Sequence, residues 1–340
     1  MTALALSDPR APVTRAVDEW CERLILDRRD RPFLLLIAGM LLLLLPTAAL
    51  MYVPGGFSWW LAAAWTAVNF GLFLDRFILM LHNTRHRRLW RPGVELDWVI
   101  EWVLGPFAGQ TPWTYHAHHL GMHHVEGNLW DDRSSTLAWQ RDSLKDFLRY
   151  WARFLGLGIA DLIAYLRARR RDKLARRVLV GELAYWGAIG LLLLVEWRAT
   201  LVVFLVPLAF SRFAMMAGNW AQHAFVDPTD PGNPYRNSIT TINTRYNRRC
   251  FNDGYHIGHH LKPGRHWTEM PDELLANLDA YRRQGALVFS GLDYFQIWAL
   301  LMVGAHGTLA DRLVDLGGPP RDRAERVALL RSRLAPVPRP

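Results

Sequence analysis

The chain has 340 residues, of which 51% are hydrophobic and 21% charged, and its formal net charge is +9 at pH 7. This length allows one large domain or two ordinary ones, and an aromatic content of 12% argues against disorder. The two cysteines, Cys21 and Cys250, are too few for a disulfide framework, a CxxC motif or a four-thiolate iron–sulfur site. Both are therefore predicted to be reduced thiols.

Charge is nearly absent from a few long stretches, which is typical of a membrane protein. Residues 33–53 contain no charged side chain, and about 20 apolar residues span the hydrocarbon core as a helix. Pro46 can kink this span where neighbouring groups take up the freed carbonyl. Residues 57–74 predict a second span that continues as a helix toward His82, and the short turn at 54–56 makes the two spans a hairpin.

Residues 178–195 and 199–222 predict a second hairpin, joined by the segment 196–198, which brings the total to four spans. Arg and Lys collect outside the two short turns, so the positive-inside rule places both termini and the central segment in the cytoplasm. The predicted location is the inner (cytoplasmic) membrane if the protein is bacterial. Because the basic clusters lie beside membrane helices, they indicate contact with membrane lipids rather than with nucleic acid.

Two further apolar segments are not counted as spans. Residues 152–166 are too short to cross a membrane and precede a basic run, which favours an interfacial helix. Residues 285–303 are long enough but contain Asp293, so they are interpreted as a buried or membrane-resting helix of the cytoplasmic part.

Most of the thirteen histidines fall into short clusters. The first cluster, His82 and His86, lies at the cytoplasmic end of the second span, and its i, i+4 spacing allows both rings to bind one metal ion. By itself this spacing is more often an ordinary pair. The second cluster has five histidines, and Gly121 within it could break the helix: His116, His118, His119, His123 and His124.

The third cluster has an HxxHH pattern whose members share one helical face: His256, His259 and His260. His223 follows Asn219 by four residues near the cytoplasmic end of the fourth span. Alone, His223 would be interpreted as a hydrogen-bonded core histidine, but polar residues at membrane depth usually face a functional interior. His266 and His306 are interpreted as structural or surface groups.

The predicted topology brings these clusters together on the cytoplasmic side. Eight or more neutral imidazoles exceed what one ion coordinates, about four ligands for zinc and six for octahedral iron, so two metal ions are expected. Imidazole ligands suit iron, copper, nickel and zinc alike. The sequence has no HExxH, ExxH, nucleotide-binding glycine-rich or GxSxG motif. Electrons, if the reaction needs them, would then come from a separate protein.

The fold predicted from these features is all-α: an integral membrane protein with four transmembrane helices in two hairpins and a helical cytoplasmic cap that holds a two-metal site. Its predicted parts are a cytoplasmic N-terminal segment at 1–32, a four-span core with the histidine clusters at 33–267, and cytoplasmic C-terminal helices with a basic tail at 268–340.

The HxxxH, HxxxHH and HxxHH patterns, placed around two hairpins, resemble the membrane fatty acid desaturase and hydroxylase superfamily over roughly residues 33–267. The resemblance implies two iron ions as cofactor and O₂ as co-substrate. One branch of the superfamily adds NxxxH on the fourth span, which Asn219 and His223 match. The ligands implied, with Asn219 acting directly or through water, are His82, His86, His119, His123, His124, His223, His256, His259 and His260. His116 or His118 could replace His119.

The activity implied by the resemblance is O₂-dependent oxidation of an unactivated C–H bond in a fatty acyl chain, with desaturation favoured. Hydroxylation and oxidative decarboxylation to a terminal alkene begin at the same site and stay open as alternatives. Since no fused HPGG segment is present, the resemblance implies an external electron donor such as ferredoxin. A histidine-rich metal transporter is the alternative from another class, disfavoured because transporter ligands lie near the membrane midplane. A non-catalytic metal-binding scaffold is a third.

Polar groups near the clusters could orient metal-bound imidazoles: Asp75, Glu126, Asp131, Asp132, Asn252 and Asp253. Asp253 could equally cap the helix that follows it. An arginine run could hold an acyl carboxylate or a carrier phosphate, or could simply lie at the membrane surface: Arg236, Arg245, Arg248 and Arg249.

Overall fold

The computed structural model describes residues 4–11, 22–317 and 321–340, and the chain is mostly helical. Cys21 lies outside the described residues, and Cys250 is buried. The chain divides into two compact units. The first unit comprises Met1–Arg10, Met122–Asp161 and Ala214–Pro340, and the second comprises Ala11–Gly121 and Leu162–Phe213.

The second unit contains most of the long apolar helices. Its α-helices are Arg31–Gly39, Leu45–Leu50, Trp59–Val68, Leu74–His86, Thr114–His118 and Asp172–Thr200. Its π-helical segments are Met40–Leu44, Asn69–Phe73, Val99–Leu104 and Leu201–Leu205, and its 3₁₀ turns are Arg28–Asp30 and Gly105–Ala108.

The first unit is built from shorter elements. Its α-helices are His124–Glu126, Pro234–Asn237, Arg245–Arg249, His256–Leu261, Met270–Ala276, Leu278–Arg283, Tyr294–Met302, His306–Asp311 and Arg323–Ser332, with a 3₁₀ turn at Trp267–Glu269. Its two strands are β1 (Ile239–Ile242) and β2 (Leu287–Ser290). Three helical elements have residues in both units: the π-helix His119–His123 and the α-helices Leu144–Ala168 and Val206–Gln222.

Three helical stretches are long and apolar enough to cross a membrane: Arg28–Leu50, Trp59–His86 and Asp172–Gln222. The first two coincide with the predicted first hairpin. Within it, Trp65 donates its indole N–H to the Leu44 carbonyl over 3.0 Å, next to the π-helical turn that precedes Pro46. A side chain of the second span thus satisfies a backbone group at the irregular part of the first.

The third stretch has 51 residues, more than two spans' worth of helix at about 20 residues per span. Glu196 interrupts it with non-helical angles, φ −153° and ψ 92°. The Arg198 side chain bonds the Glu196 carboxylate through Nε at 2.8 Å and Nη2 at 2.7 Å. The irregularity lies where the sequence predicts the turn of the second hairpin, although the count of four spans remains a prediction.

Two sequence-based expectations about the cytoplasmic part need correction. The short helix expected at 152–166 is part of a 25-residue helix, Leu144–Ala168. The single helix expected over 285–303 is wrong, because that segment forms β2 and then the helix Tyr294–Met302. Asp293 separates the two as a helix cap: its side chain accepts from the Gln296 N–H, and the Gln296 side chain accepts from the Asp293 N–H, each over 2.9 Å.

The two strands also correct the expectation of an all-α chain. They form a parallel two-stranded sheet in which Ile239 lies opposite Leu287, and every residue of β1 is buried. Both strands are short and rich in β-branched or aromatic residues, which suits a buried parallel pair. On β1, Thr241 donates its N–H to the Gly254 carbonyl at 2.7 Å, which fixes the loop just before the third histidine cluster.

The N-terminal residues belong to the first unit through one buried carboxylate. Asp8 accepts hydrogen bonds from the Asn243 N–H at 2.7 Å, the Asn247 amide at 3.1 Å and the Tyr255 hydroxyl at 2.8 Å. Tyr255 immediately precedes His256, so the first residues of the chain support the loop that presents the third cluster.

Arg141 ties the C-terminal segment into the same unit. Its side chain is fully buried and donates to the carbonyls of Ala224 at 2.7 Å, Arg333 at 3.0 Å and Ala335 at 2.6 Å. Burial lowers the pKa of its guanidinium to about 10, so it stays charged at pH 7. Ala224 follows His223 directly, and the C-terminal segment is thereby fixed to the chain beside a candidate ligand.

We expect Arg141→Met to lower the free energy of unfolding by about 2–5 kcal/mol, because the carbonyls it satisfies lose a charged donor inside the unit. Thermal unfolding in detergent measures the effect. The matched control is Arg339→Met, since the Arg339 side chain is 68% exposed and such surface changes stay within about 0.5 kcal/mol. Equal melting temperatures for the two variants would contradict the assignment.

Candidate metal centre

The second histidine cluster lies on a continuous but irregular helix. Thr114–His118 is α-helical, His119–His123 is a π-helical turn and His124–Glu126 returns to α-helix. Gly121 therefore does not break the helix. A Cβ at this position would lie 2.8 Å from the Leu174 side chain, so glycine permits close packing. The wider π turn changes the direction in which successive histidines point.

In the second unit, His82, His86 and His119 converge, and we call them the His82 set. The Nε2 atoms of His86 and His119 are 2.8 Å apart, and the His82 and His119 rings have centroids 4.5 Å apart. One ligand nitrogen from each of the three lies within 4.8 Å of the others. The structure thus brings together the first cluster and one histidine of the second.

In the first unit, the His123 set comprises His123, His223, His256 and His260, whose ligand nitrogens lie within 4.8 Å of one another. His256 Nε2 lies 3.1 Å from His223 Nε2 and 2.9 Å from His260 Nε2. His256 and His260 are one turn apart on the helix His256–Leu261, as their i, i+4 spacing predicts. His124 and His259 are also in contact in this unit, with their Nε2 atoms 2.9 Å apart.

These separations fit imidazoles that share a cation. At a metal–nitrogen distance of about 2.1 Å, two ligands at a right angle are about 3 Å apart. A hydrogen bond from the N–H of one neutral ring to the unprotonated nitrogen of another would explain one such contact. His256 Nε2, however, makes two contacts, one with His223 and one with His260. A nitrogen carries one proton at most, so it can satisfy only one of its two neighbours in this way.

Neighbouring oxygens fix the orientation of two of these rings. The Nδ1 of His123 lies 2.7 Å from the Asp132 carboxylate, and the Nδ1 of His223 lies 2.8 Å from the Asn237 carbonyl. Each oxygen is an acceptor for an Nδ1–H, which leaves Nε2 as the ligand atom. Asp132 is held in turn by the Ser134 N–H and hydroxyl, at 2.8 and 2.7 Å.

Burial favours the neutral form of two rings of the His123 set. Burial, together with the neighbouring His123, lowers the pKa of His223 to about 4. Burial also lowers the pKa of His260 well below its ordinary value, with His256 and the other rings adding to the effect. Neutral imidazole is the form that binds metal, so at pH 7 His223 and His260 are in the form that a metal ion requires.

Asn219 lies in the same unit and is held by its amide nitrogen. Its Nδ2 donates to the Ser134 carbonyl at 2.9 Å and to the Tyr150 hydroxyl at 2.8 Å. Tyr150 OH donates to the same carbonyl at 3.0 Å. Metal binding through the Asn219 side-chain oxygen is compatible with these bonds and stays a prediction.

Other histidines of the sequence lie apart from these sets. His116 packs edge-on against Trp113, with ring centroids 5.9 Å apart. Burial, together with the positive charges of Arg85 and Arg177, lowers the pKa of His116 to about 4. Neither His116 nor His118 belongs to either set, whereas His119 does.

His266 and His306 have the structural role expected of them. His266 is fully buried beside the Thr268 hydroxyl, and its side chain accepts from the Thr268 N–H at the start of the 3₁₀ turn. His306 Nε2 lies 2.9 Å from the Asp142 carboxylate.

The polar groups suggested as imidazole partners have varied roles. Asp132 lies beside His123, as described above. Asp253 accepts from the Tyr246 hydroxyl at 2.6 Å, and Asp131 pairs with Arg339 at 3.1 Å. Asn252 donates to the Trp267 carbonyl at 2.9 Å. In the arginine run, Arg236 donates to the Gln284 carbonyl at 3.0 Å.

The sequence analysis missed a buried carboxylate that supports the second cluster. Glu182, on the helix Asp172–Thr200, accepts from the hydroxyls of Thr111 and Thr114, the latter at 2.7 Å. The guanidinium of Arg212 lies 3.7 Å from the same carboxylate. A buried acid inside an apolar stretch was the available signal, since ionisable groups at membrane depth are usually functional.

The helix Asp172–Thr200 contacts the segment just before the second cluster at two more points. Gly181 approaches the Pro112 carbonyl so closely that any Cβ would collide with it. One turn earlier, the Arg177 guanidinium lies over the Trp113 ring at 4.5 Å. Together with Glu182, these contacts fix the segment that leads into Thr114–His118.

A second buried carboxylate joins the first cluster to that segment. Glu101 accepts from Arg85 Nη1 at 2.7 Å and from the Trp113 N–H at 3.1 Å. Arg85 lies between His82 and His86 in the sequence. Burial raises the pKa of Glu101, and Arg85 opposes that rise. The ion pair therefore connects both chain segments that supply the His82 set.

The comparisons with known proteins point to one family. The family model described as fatty acid desaturase matches residues 57–292, more than half of the chain. This range contains all three clusters and His223. No curated protein and no solved structure matches the chain.

We expect Asp132→Asn to weaken metal binding by about 10- to 100-fold, because an amide orients and polarises the His123 ring less well than a carboxylate does. Metal content after dialysis against graded chelator measures the change. Asp131→Asn is the matched control, because the adjacent Asp131 instead pairs with Arg339. An equal loss of metal in both variants would be inconsistent with the orienting role.

We expect Glu182→Gln to destabilise the protein by about 3–5 kcal/mol, because Arg212 would keep its charge in a buried site without a counter-charge. Glu196→Gln, on the same helix, changes the same chemical group in a pair with the partly exposed Arg198 and should have little effect. Thermal unfolding in detergent, together with metal content, separates the two. A melting temperature for Glu182→Gln as high as that of Glu196→Gln would refute the expectation.

Proposed function

Because this chain belongs to the fatty acid desaturase family, we propose that this membrane oxidoreductase uses O₂ to oxidise an unactivated C–H bond of a fatty acyl chain, with desaturation as the favoured outcome. The observation that supports the chemistry most directly is the convergence of four imidazoles in the His123 set, with their ligand nitrogens within 4.8 Å. Imidazole ligands suit a redox-active metal such as iron.

Iron is the proposed metal, with two ions per chain. The His82 set would hold one ion and the His123 set the other. Asn219 and the His124–His259 pair would supply the remaining ligands. The separations of 2.8 to 3.1 Å between ring nitrogens fit this role. When bound, iron supplies the activation of O₂. Electrons would come from an external protein such as a ferredoxin.

The residues of the chain itself orient the ligands and exclude water. Asp132 and Asn237 hold the outer ring nitrogens of His123 and His223, which keeps the inner nitrogens free of protons. His223 and His256 are only 1% and 2% exposed. Excluding water matters because a reactive oxidant should meet the acyl chain rather than solvent.

We also propose four membrane spans with both termini on the cytoplasmic side, the side that the positive-inside rule assigns to them. The candidate spans are Arg28–Leu50, Trp59–His86 and Asp172–Gln222. A chain with both ends on one side of a membrane crosses it an even number of times. The stretch Asp172–Gln222 would then cross twice and turn at Glu196.

Hydroxylation and oxidative decarboxylation share this site, and the products distinguish them. Desaturation yields an internal alkene, hydroxylation an alcohol, and decarboxylation a terminal alkene one carbon shorter. A metal transporter would yield none of these and would bind metal without consuming O₂. Product analysis therefore separates the three oxidation reactions from one another and from functions that oxidise no lipid.

We expect His256→Ala to lose iron and to reduce product formation at least 100-fold, because His256 Nε2 lies within 3.1 Å of two other ring nitrogens of its set. Iron per chain, O₂ consumption and the fatty acid and hydrocarbon profiles of expressing cells measure this. His306→Gln is the control, since His306 lies outside both sets. Unchanged products with His256→Ala, or a protein that holds zinc and leaves O₂ untouched, would refute the proposal.

A further inference from the structure

The first unit contains a second polar site, separate from the histidines. A cavity of about 200 Å³ lies between the end of the helix Leu278–Arg283, the start of β2, the segment 313–317 and the helix Arg323–Ser332. Leucine side chains form much of its lining: Leu287, Leu313, Leu316 and Leu329. We call it the arginine cavity, after the side chains described next.

Four arginines line this cavity: Arg282, Arg321, Arg326 and Arg333. The acidic residue among the lining side chains is Asp315, whose carboxylate accepts from the Gly317 N–H at 2.9 Å. Arg282 pairs with Asp279 at 2.9 Å, outside the lining. The cavity therefore carries an excess of positive charge.

Arg333 is the most buried of the four, at 7% exposed. Its Nη2 lies 3.3 Å from the Asp227 carboxylate, while its Nη1 is buried without a hydrogen-bond partner among the described residues. A buried guanidinium donor without an acceptor is costly. Burial lowers the pKa of Arg333, and the nearby cations Arg236 and Arg321 lower it further. An anion in the cavity would relieve both the unmet hydrogen bond and the repulsion.

Two hydrogen bonds hold Arg326 in place before any ligand binds. Its Nη1 donates to the Leu313 carbonyl and its Nε to the Arg321 carbonyl, each at 3.2 Å. A side chain held in this way loses little further freedom on binding, which favours affinity. Gly285, at φ +67°, lies against Arg333, and a Cβ there would approach Nη2 to 3.4 Å.

We propose that the arginine cavity binds a phosphate monoester group. A phosphate offers several oxygens and up to two negative charges, which match planar guanidinium donors better than a single carboxylate does. The leucine lining suits a short apolar group attached to the phosphate. The cavity is smaller than the roughly 300–1,000 Å³ of sites for drug-sized ligands, so it would take a head group rather than a whole lipid. This assignment uses no histidine and does not rest on the proposed function.

The phosphate could come from a soluble compound or from a lipid head group, and two measurements on the full-length protein distinguish them. The first titrates inorganic phosphate and glycerol 3-phosphate into protein in an uncharged detergent, followed by calorimetry. The second places the protein in phosphatidylcholine nanodiscs with and without phosphatidic acid and counts retained lipids by native mass spectrometry.

The test variant is Arg321→Gln/Arg326→Gln, and the control is Arg323→Gln/Arg339→Gln. The control removes the same charge from side chains that are 65% and 68% exposed and outside the cavity lining. We expect at least tenfold weaker binding in the test variant and no change in the control. Binding of the soluble phosphates identifies a soluble ligand, and retention of phosphatidic acid alone identifies a lipid head group. No binding by the unmodified protein in either measurement, or an equal loss in both variants, would overturn the proposal.

Discussion

The structure depends most on imidazole nitrogens that lie within about 3 Å of one another. In the His123 set, His256 Nε2 lies about 3 Å from two other imidazole nitrogens, and burial favours the neutral form of His223 and His260. Lone pairs at that distance repel unless a proton or a cation lies between them. The hydrogen bonds that Asp132 and Asn237 accept from ring N–H groups hold His123 and His223 in an arrangement that a shared metal ion would stabilise.

Much of this centre could be predicted from the sequence because its signals are local. An i, i+4 pair such as His82 and His86 requires only a helix, and charge-free runs near 20 residues identify membrane spans directly. The family match confirms the resemblance that the histidine spacing indicates. The sequence does not predict that the second cluster divides between two sets, with His119 in the His82 set and His123 in the His123 set. The π-helical turn His119–His123 accounts for this division, and nothing in the local sequence marks that turn.

The rest depends on contacts between residues far apart in the chain. The helix expected over 285–303 was wrong because a short apolar run fits a buried strand as well as a buried helix, and only pairing with β1 decides between them. In the sequence, the charge of Asp293 argues against a membrane span. In the structure, Asp293 caps the helix Tyr294–Met302. The sequence does not predict the roles of Glu182 and Asn237, because tertiary packing brings them to their partners, Thr114 and His223.

The way the first unit is assembled has a consequence for biosynthesis. Asp8 binds the loop before His256, and Arg141 binds the carbonyls of Arg333 and Ala335. A ribosome synthesises Arg333 and Ala335 only after all three candidate membrane helices. The contacts that Arg141 makes with these carbonyls are therefore missing while the earlier histidines emerge. Until residue 335 has been synthesised, the unit that contains His223 and His256 lacks part of the packing that encloses them.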